Sequence, residues 1–481
     1  MKKTTIIASL AITAAFATLA FVFSAQAPLS DDIISPYIRE TIIPLVNEPN
    51  EKNFNGTAVF SDLTTHDYVI LPDQSILSVG QVYTDRNLYA PGLQRTDLNG
   101  GAMWTSFLNP VHLDGVDYSD LGTSFNTFTH IIYVNPGLIY AIGTIQTRLF
   151  DTDGNTYPLT GFFADQNIPI GEDQLVFVIS FADNFTNLKL HGLLSPVDEE
   201  GLQNTIVRGV TLVDANTMVL TGITNSHGGL FASGPSKSVF DFVLSVDVGD
   251  TLIFNHLFSF EHENYVQPSH VYALFNGDLI VSGQFLTSSG DFAEIKLNQD
   301  VIAAGFVARI NGETFSLEWI QSNLKKPLGN PSNTQYLNVL ELDTHDLITI
   351  ANVEDAATEK QSILVSVFKQ DGGLRTQKLL NDTDGNLTAV YLLKAETGYW
   401  IVGDRTADNN TNLILMKLTS ALVIDFTIEI LGSGHETWLG KPFVTQEASL
   451  MIPLGTYSKD QDFIFLASQP ENYMAMWLSL T

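Results

Sequence analysis

The sequence predicts an all-β protein, a β-propeller of seven four-stranded antiparallel blades that follows an N-terminal signal segment. A short apolar run that usually ends in glycine recurs seven times, at intervals of 52 to 79 residues. Three further strand-like segments surround each copy in a fixed order. No stretch keeps a helical periodicity over three or more turns. Repeated β units that cannot each bury both faces alone are typical of propellers.

The repeated run is the second strand of each predicted unit. Before it lies a short apolar strand and a turn that is often rich in Asp, Asn or Gly, which favours a hairpin. Two more strands complete the unit, and the seven units span residues 65–481. The alternative architecture is a pair of β-sandwiches, which would not need seven copies of one unit. The runs end at Gly80, Gly143, Gly222, Gly283, Ala351, Gly403 and Gly455.

The N-terminus has the layout of an export signal. Lys2 and Lys3 precede an uncharged, mostly apolar stretch, and Ala25-Gln26-Ala27 is a small-residue cleavage site, so residues 1–27 are predicted to be a signal peptide. Pro28 directly after this site and the length of the apolar stretch leave an uncleaved membrane anchor as the alternative. Residues 28–64 form a lead-in with one short strand at 56–60, which either stands alone or completes the last blade.

The composition excludes several function classes. With 53 acidic and 23 basic residues, the net charge is −30, which opposes binding of nucleic acid through a basic surface. The absence of cysteine excludes disulfides, thiolate metal sites and cysteine nucleophiles. The chain is 44% hydrophobic and only 16% charged, which argues against disorder.

The repeats resemble the bacterial extracellular propeller repeats of the SBBP and delta-60 type. The similarity is carried by Asp278–Gly283 and by Phe240–Val246 followed by a glycine turn at Gly249. It covers about 65–481, although Ala351 replaces glycine in the fifth unit and Pro453 interrupts the seventh. The resemblance implies an exported propeller scaffold, and it supplies no catalytic residues.

Histidines and their acidic neighbours in loops are the candidate ligand-binding residues. They lie in connections between strands or blades, where binding residues often occur. They lack the spacing of a zinc protease, and a solvated loop is the alternative interpretation. The candidates are His262, Glu263, His270, His227, His435 and Glu436.

Two Asp-x-Asp-Gly-Asn strings are the candidate metal sites. Alternating oxygen side chains suit calcium, but neither string has the glycine at position six or the glutamate at position twelve of a calcium loop. Both are also good hairpin turns, so no cofactor is the first prediction and calcium is the alternative. The residues are Asp151, Asp153, Asn155, Asp382, Asp384 and Asn386.

These observations predict an exported binding or scaffold protein that presents rim loops to an extracellular protein or glycan. The long loops at 146–174, 228–238, 285–303 and 323–334 are the candidate surfaces. The alternative is a propeller enzyme acting on glycans, as a hydrolase or lyase, through carboxylates at the channel mouth. The sequence contains no G-x-S-x-G motif, so a serine hydrolase of that type has no support. The predicted location is extracytoplasmic, with membrane contact only through an uncleaved signal.

Overall fold

A computed structural model describes most of the repeat region and parts of both ends. The predicted signal segment and lead-in lie largely outside the described residues. The described ranges are 20–21, 38–43, 60–84, 89–96, 102–108, 126–146, 149–150, 156–157, 174–194, 204–263, 265–286, 288–295, 303–322, 331–355, 358–395, 397–407, 410–430, 436–439, 443–444, 450–458 and 472–480.

The chain folds as an all-β propeller with six four-stranded antiparallel blades, numbered here in chain order. Blade 1 has β3 (Phe60–Ile70), β4 (Ile76–Thr84), β5 (Tyr89–Thr96) and β6 (Ala102–Phe107). Blade 2 has β7 (Thr127–Asn135), β8 (Leu138–Gln146), β11 (Gln174–Phe181) and β12 (Lys189–Leu193). Blade 3 has β13 (Thr205–Leu212), β14 (Thr217–Thr224), β15 (Phe240–Val248) and β16 (Leu252–Phe258). Blade 4 has β17 (Val266–Ala273), β18 (Leu279–Phe285), β19 (Ala304–Ile310) and β20 (Leu317–Gln321); blade 5 has β21 (Pro331–Glu341), β22 (Leu347–Asp355), β23 (Gln361–Phe368) and β24 (Leu374–Leu380); blade 6 has β25 (Asn386–Lys394), β26 (Tyr399–Ala407), β27 (Asn410–Leu418) and β28 (Ile424–Ile430).

Small elements lie in the insertions between second and third strands. In blade 2, β9 (Leu149–Phe150) and β10 (Thr156–Tyr157) pair with each other. In blades 3 and 4, the insertions carry short 3-10 helices at Gly229–Phe231 and Gly290–Phe292. No helix among the described residues is long and apolar enough to cross a membrane.

The prediction of seven four-stranded blades was wrong: the seventh unit belongs to a six-stranded sheet. That sheet runs in the order β1-β2-β32-β31-β29, and β30 also pairs with β31. The predicted third strand at 462–466 lies outside the described residues, and β31 pairs directly with β32. The other edge of β32 is taken by β2, from the lead-in. The order of the repeats along the sequence cannot show the pairing of β32 with β2, because that pairing joins strands from the two ends of the chain. The strands are β1 (Ala20–Phe21), β2 (Ile38–Ile43), β29 (Glu436–Leu439), β30 (Phe443–Val444), β31 (Leu450–Ser458) and β32 (Asn472–Leu480).

The apolar core lies between blades. One buried cluster joins blades 1 and 2 through side chains such as Leu77 and Phe177, and another joins blades 3 and 4 through side chains such as Val243 and Val281. Further clusters join blades 2 with 3, 4 with 5, and 5 with 6. Blades 2 to 5 therefore each bury both faces of their sheets against neighbouring blades, as the repeat pattern predicted.

The first strands of neighbouring blades contact one another from β3 through β25, so they form the innermost layer of the ring. Each of them carries a β-bulge, and the residue just before the bulge faces the glycine of the second strand in five blades and Ala351 in blade 5. In blade 3, Val207 pairs with Gly222, and the register then shifts past Arg208 to Gly209. Bulges re-aim side chains and increase local twist.

The bulge explains why the second strand needs glycine. A Cβ atom on Gly222 would overlap the carbonyl oxygen of Ile206, and one on Gly283 would overlap that of Gln267. The expected close approach to a neighbouring backbone is thus confirmed, but the glycine lies inside the strand. In blade 3, β14 continues for two residues beyond Gly222.

Candidate functional site

The connections that follow second and fourth strands share one face of the ring, because the strands alternate in direction. We call this the upper face. On it, between blades 3 and 4, lies an open pocket of about 560 Å³. Two of the loops singled out from the sequence contribute to it, with Lys237 from one and Gly290 from the other. The residues around the pocket are Ser233, Gly234, Pro235, Lys237, Leu257, Ser259, Phe260, Glu261, His262, Glu263 and Gly290.

A buried Asp–His pair forms part of the wall of this pocket. The Nε2 atom of His262 lies 2.8 Å from Oδ1 of Asp241, and the two side chains are only 2% and 0% exposed. The other carboxylate oxygen of Asp241 accepts a hydrogen bond from the backbone N–H of Phe260 at 3.0 Å. The Nδ1 atom of His262 is buried and has no hydrogen-bond partner among the described residues. The contact with Asp241 therefore fixes the imidazole, and the described residues supply no partner for its other ring nitrogen.

Charged side chains surround the mouth of the pocket. Glu261 and Glu263 are exposed, and Lys237 donates a hydrogen bond to the carbonyl oxygen of His262 at 2.6 Å. The connection that carries both glutamates is tied to blade 4. The backbone N–H of Glu261 donates to Asp291 at 2.8 Å, and that of Glu263 donates to the Ser289 hydroxyl at 2.8 Å. This frame presents two exposed carboxylates beside the half-buried Lys237.

The two insertions beside the pocket share one local design. Each begins its 3-10 helix at a glycine with positive φ, 57° at Gly229 and 56° at Gly290, and each buries a phenylalanine in the third position. Phe231 and Phe292 anchor the insertions in the inter-blade clusters. A side chain at Gly290 would overlap the carbonyl of Glu261, so this glycine lets the insertion lie against the connection.

The structure brings together only some of the predicted ligand-binding residues. His262 and Glu263 share the pocket. His227 is exposed in the loop before the first 3-10 helix, with its ring centroid 5.5 Å from that of Phe240. His270 is half-buried on β17, in the innermost layer. His435 lies outside the described residues, and Glu436 begins β29.

Asp241 is the residue that sequence reasoning missed. It occurs in the run Phe240–Val246, which the repeat pattern assigns only to a third strand. A carboxylate inside such an apolar run was the available signal, because a charged group is seldom buried without a partner. Its partner is 21 residues away, so the pair could not be identified from spacing.

The second Asp-x-Asp-Gly-Asn string forms a turn with its own hydrogen bonds. Oδ2 of Asp382 accepts from Nε of Arg405 at 2.5 Å, and Oδ1 accepts from the backbone N–H of Asp384 at 3.2 Å. Burial acts to raise the pKa of Asp382, but Arg405 and the turn outweigh it and the pKa is lowered. Asn386 accepts from the backbone N–H of Gln361. Asp151, Asp153 and Asn155 lie outside the described residues.

Calcium binding stays a prediction. Within the described part of the chain, no group of three or more His, Asp or Glu residues is placed to hold a metal ion.

The carboxyl group of Asp404 on β26 is expected to make the free energy of unfolding depend on pH. Burial raises its pKa to about 6, and its Oδ1 atom has no hydrogen-bond partner among the described residues. An unfolded aspartate has a pKa of about 3.9, so between roughly pH 4 and 6 the folded chain binds more protons and the free energy of unfolding falls as pH rises. We expect Asp404→Asn to raise the urea midpoint at pH 7.5 and to leave it nearly unchanged at pH 4. The exposed Asp384→Asn is the control; equal effects of both variants at pH 7.5 would contradict the assignment.

No protein-family model and no curated protein matches the sequence. The resemblance to SBBP-type repeats therefore has no support from a sequence family, whereas the propeller it implied is present.

Solved structures with some similarity include an oxidoreductase described as a glucose dehydrogenase from Thermus thermophilus, with 12% identity, a TM-score of 0.34, and coverage of 63% of this chain and 92% of that one. Another is the Trypanosoma rangeli sialidase in complex with the inhibitor DANA, with 9% identity, a TM-score of 0.38, and coverage of 80% of this chain and 57% of that one. This chain thus spans little more than half of the sialidase. At these sequence identities and TM-scores, the activities of those proteins are not assigned to this chain.

Proposed function

We propose that this chain is an exported propeller that binds a hydroxyl-rich extracellular ligand, such as a glycan, in the pocket between blades 3 and 4. The observation that carries the proposal is His262 in the pocket wall, whose buried Nδ1 atom has no hydrogen-bond partner among the described residues. Asp241 accepts a hydrogen bond from Nε2–H of His262, and in a neutral imidazole with the proton on Nε2 the Nδ1 atom is a hydrogen-bond acceptor. A ligand hydroxyl would satisfy this acceptor.

The pocket mouth supplies the other groups that a sugar needs. Glu261 and Glu263 would accept hydrogen bonds from hydroxyl groups, and Lys237 would donate one. Phe260 and Leu257 add apolar surface beneath the polar groups. A few well-placed polar groups on a partly apolar concave surface are typical of small-ligand sites.

An enzyme is the second candidate, since an Asp–His pair can orient a general base. The geometry favours binding instead. The only hydroxyl within the described residues that contacts the pair, that of Ser259, lies 3.4 Å from Oδ1 of Asp241 and makes no hydrogen bond with Nδ1 of His262. Of the described carboxyl groups, Asp404 is the one whose pKa is clearly raised, and it lies on blade 6.

A glycan array followed by calorimetry with the best glycan tests the proposal. We expect Glu261→Gln and Glu263→Gln each to weaken binding about tenfold, the effect of one charge-assisted hydrogen bond. Glu313→Gln, an exposed change in the β19–β20 turn on the opposite face, is the matched control and should leave binding unchanged. Binding unaffected by both pocket variants, or no glycan bound at all, would refute the proposal. Release of new reducing ends from a bound glycan would favour the enzyme.

A further inference from the structure

Arg208 occupies an unusual place in the innermost layer of the ring. It is the residue that the bulge of β13 leaves without a cross-strand partner, and its side chain is exposed. It is the fourth residue of β13, and a first strand begins at the upper face. The guanidinium group therefore lies near the upper mouth of the ring, on the same face as the pocket.

Arg208 differs from the other arginines whose side chains the structure describes. Each of those forms an ion pair with an aspartate, whereas Arg208 has none among the described residues. The pairs are Arg95–Asp73 at 2.7 Å, Arg309–Asp278 at 2.5 Å, Arg375–Asp346 and Arg405–Asp382 at 2.5 Å. In a chain with a net charge of −30, an exposed arginine that has no carboxylate partner within the described part of the chain stands out.

A neutral amide faces Arg208 across the boundary between blades. With the oxygen of the Gln267 side chain turned towards the guanidinium, it accepts from Nη1 at 2.7 Å and from Nε at 3.0 Å, and the amide nitrogen then reaches the Tyr265 hydroxyl at 3.2 Å. Gln267 is only 9% exposed, so this contact is fixed by packing. The amide can position the guanidinium without neutralising its charge.

The backbones are also unusually close at this point. A Cβ atom on Gly209 would lie 3.0 Å from the Cα atom of His270 and 3.0 Å from the backbone nitrogen of Val271. Residue 209 thus contributes no side chain next to Arg208, and the neighbouring strand is held close by. The Arg208 side chain itself is exposed.

We infer that Arg208 binds the oxyanion of a ligand that enters the upper mouth of the ring. The planar guanidinium matches the two oxygens of a carboxylate or a phosphate, and Gln267 and Tyr265 would hold it in position. Because Arg208 has no carboxylate partner among the described residues, its positive charge is available to an anionic ligand. This inference does not depend on glycan binding in the pocket.

Calorimetry with the full chain at low salt tests the inference. The probes are inorganic phosphate, D-glucuronate as a carboxylate, and D-glucose as the neutral match of glucuronate. We expect at least one anion to bind and glucose not to bind at the same site. Arg208→Gln should weaken anion binding about tenfold or more, and Arg208→Lys should weaken it less. The tighter of the two anions identifies the oxyanion of the ligand.

Two controls make the result specific. Lys369→Gln removes the same charge from an exposed loop of blade 5 and should change the affinity by less than about twofold. Glu261→Gln should weaken the pocket ligand but not the anion, which separates the two sites. Because Arg208 is exposed, its variants should fold, which circular dichroism and the thermal midpoint would verify. An anion affinity within about twofold of wild type in Arg208→Gln, or no anion binding at all, would overturn the inference.

Discussion

Gly222→Ala is expected to lower the free energy of unfolding by about 3 kcal/mol, at the upper end of the usual cost of overpacking. The added methyl group would overlap the carbonyl oxygen of Ile206, which the bulge of β13 turns towards β14. Backbone on an inner strand cannot move aside as the end of a flexible side chain can. Urea unfolding followed by circular dichroism would measure the loss.

Two control variants separate the clash from general effects of glycine replacement. Gly249→Ala changes a turn in the same blade where the nearest atom to a new Cβ is 3.8 Å away, so stability should stay nearly constant. Ala351→Gly restores the repeat's usual residue in blade 5 and should cost only about 0.5–1 kcal/mol, from the greater backbone freedom of glycine. A loss for Gly222→Ala no larger than that for Gly249→Ala would show that the bulge does not impose glycine.

Asp241→Ala is expected to lower the free energy of unfolding by about 3–5 kcal/mol, because breaking a buried pair leaves the remaining partner without compensation. The change would leave Nε2 of His262 and the backbone N–H of Phe260 without their acceptor in a place that water hardly reaches. Asp241→Asn keeps an acceptor oxygen and should cost less. Urea midpoints of the variants would give the values.

The double variant Asp241→Leu with His262→Leu tests whether the cost comes from the unpaired partner. Removing both polar groups should be less destabilising than Asp241→Ala alone, since no buried polar group is then left without its partner. The matched surface change is Asp250→Asn, which breaks the exposed contact with Lys189 and should have no measurable effect. If the double variant loses the sum of the two single losses, the two residues are not coupled.

The glycine runs allowed the blades to be predicted, but not the number that are four-stranded. Gly222 and Gly283 mark second strands reliably, because the close approach of a neighbouring backbone demands glycine there. The prediction for the seventh unit was wrong because β32 pairs with β2, a strand from the opposite end of the chain. Local sequence patterns predict hairpins, but they do not predict a strand pairing between the two ends of the chain.

The candidate site was only partly predictable from the sequence. His262 and Glu263 stood out as a cluster in a connection between blades, and they do lie in a pocket. Asp241 and Arg208 did not stand out, since each looks like an ordinary residue within or beside a strand. The significance of Asp241 depends on its burial, and that of Arg208 on having no carboxylate partner among the described residues; both are properties of the packed ring.

The all-β class, the four-stranded unit and the positions of the glycines follow from the amino-acid sequence, because strand alternation, turn chemistry and backbone clearance are local. Contacts between distant segments set the number of four-stranded blades at six, join the last strands to the lead-in, and bring Asp241 to His262 in a pocket wall. Those features arise where segments distant along the chain come into contact. Burial and unsatisfied hydrogen bonds at such contacts are set by packing between blades.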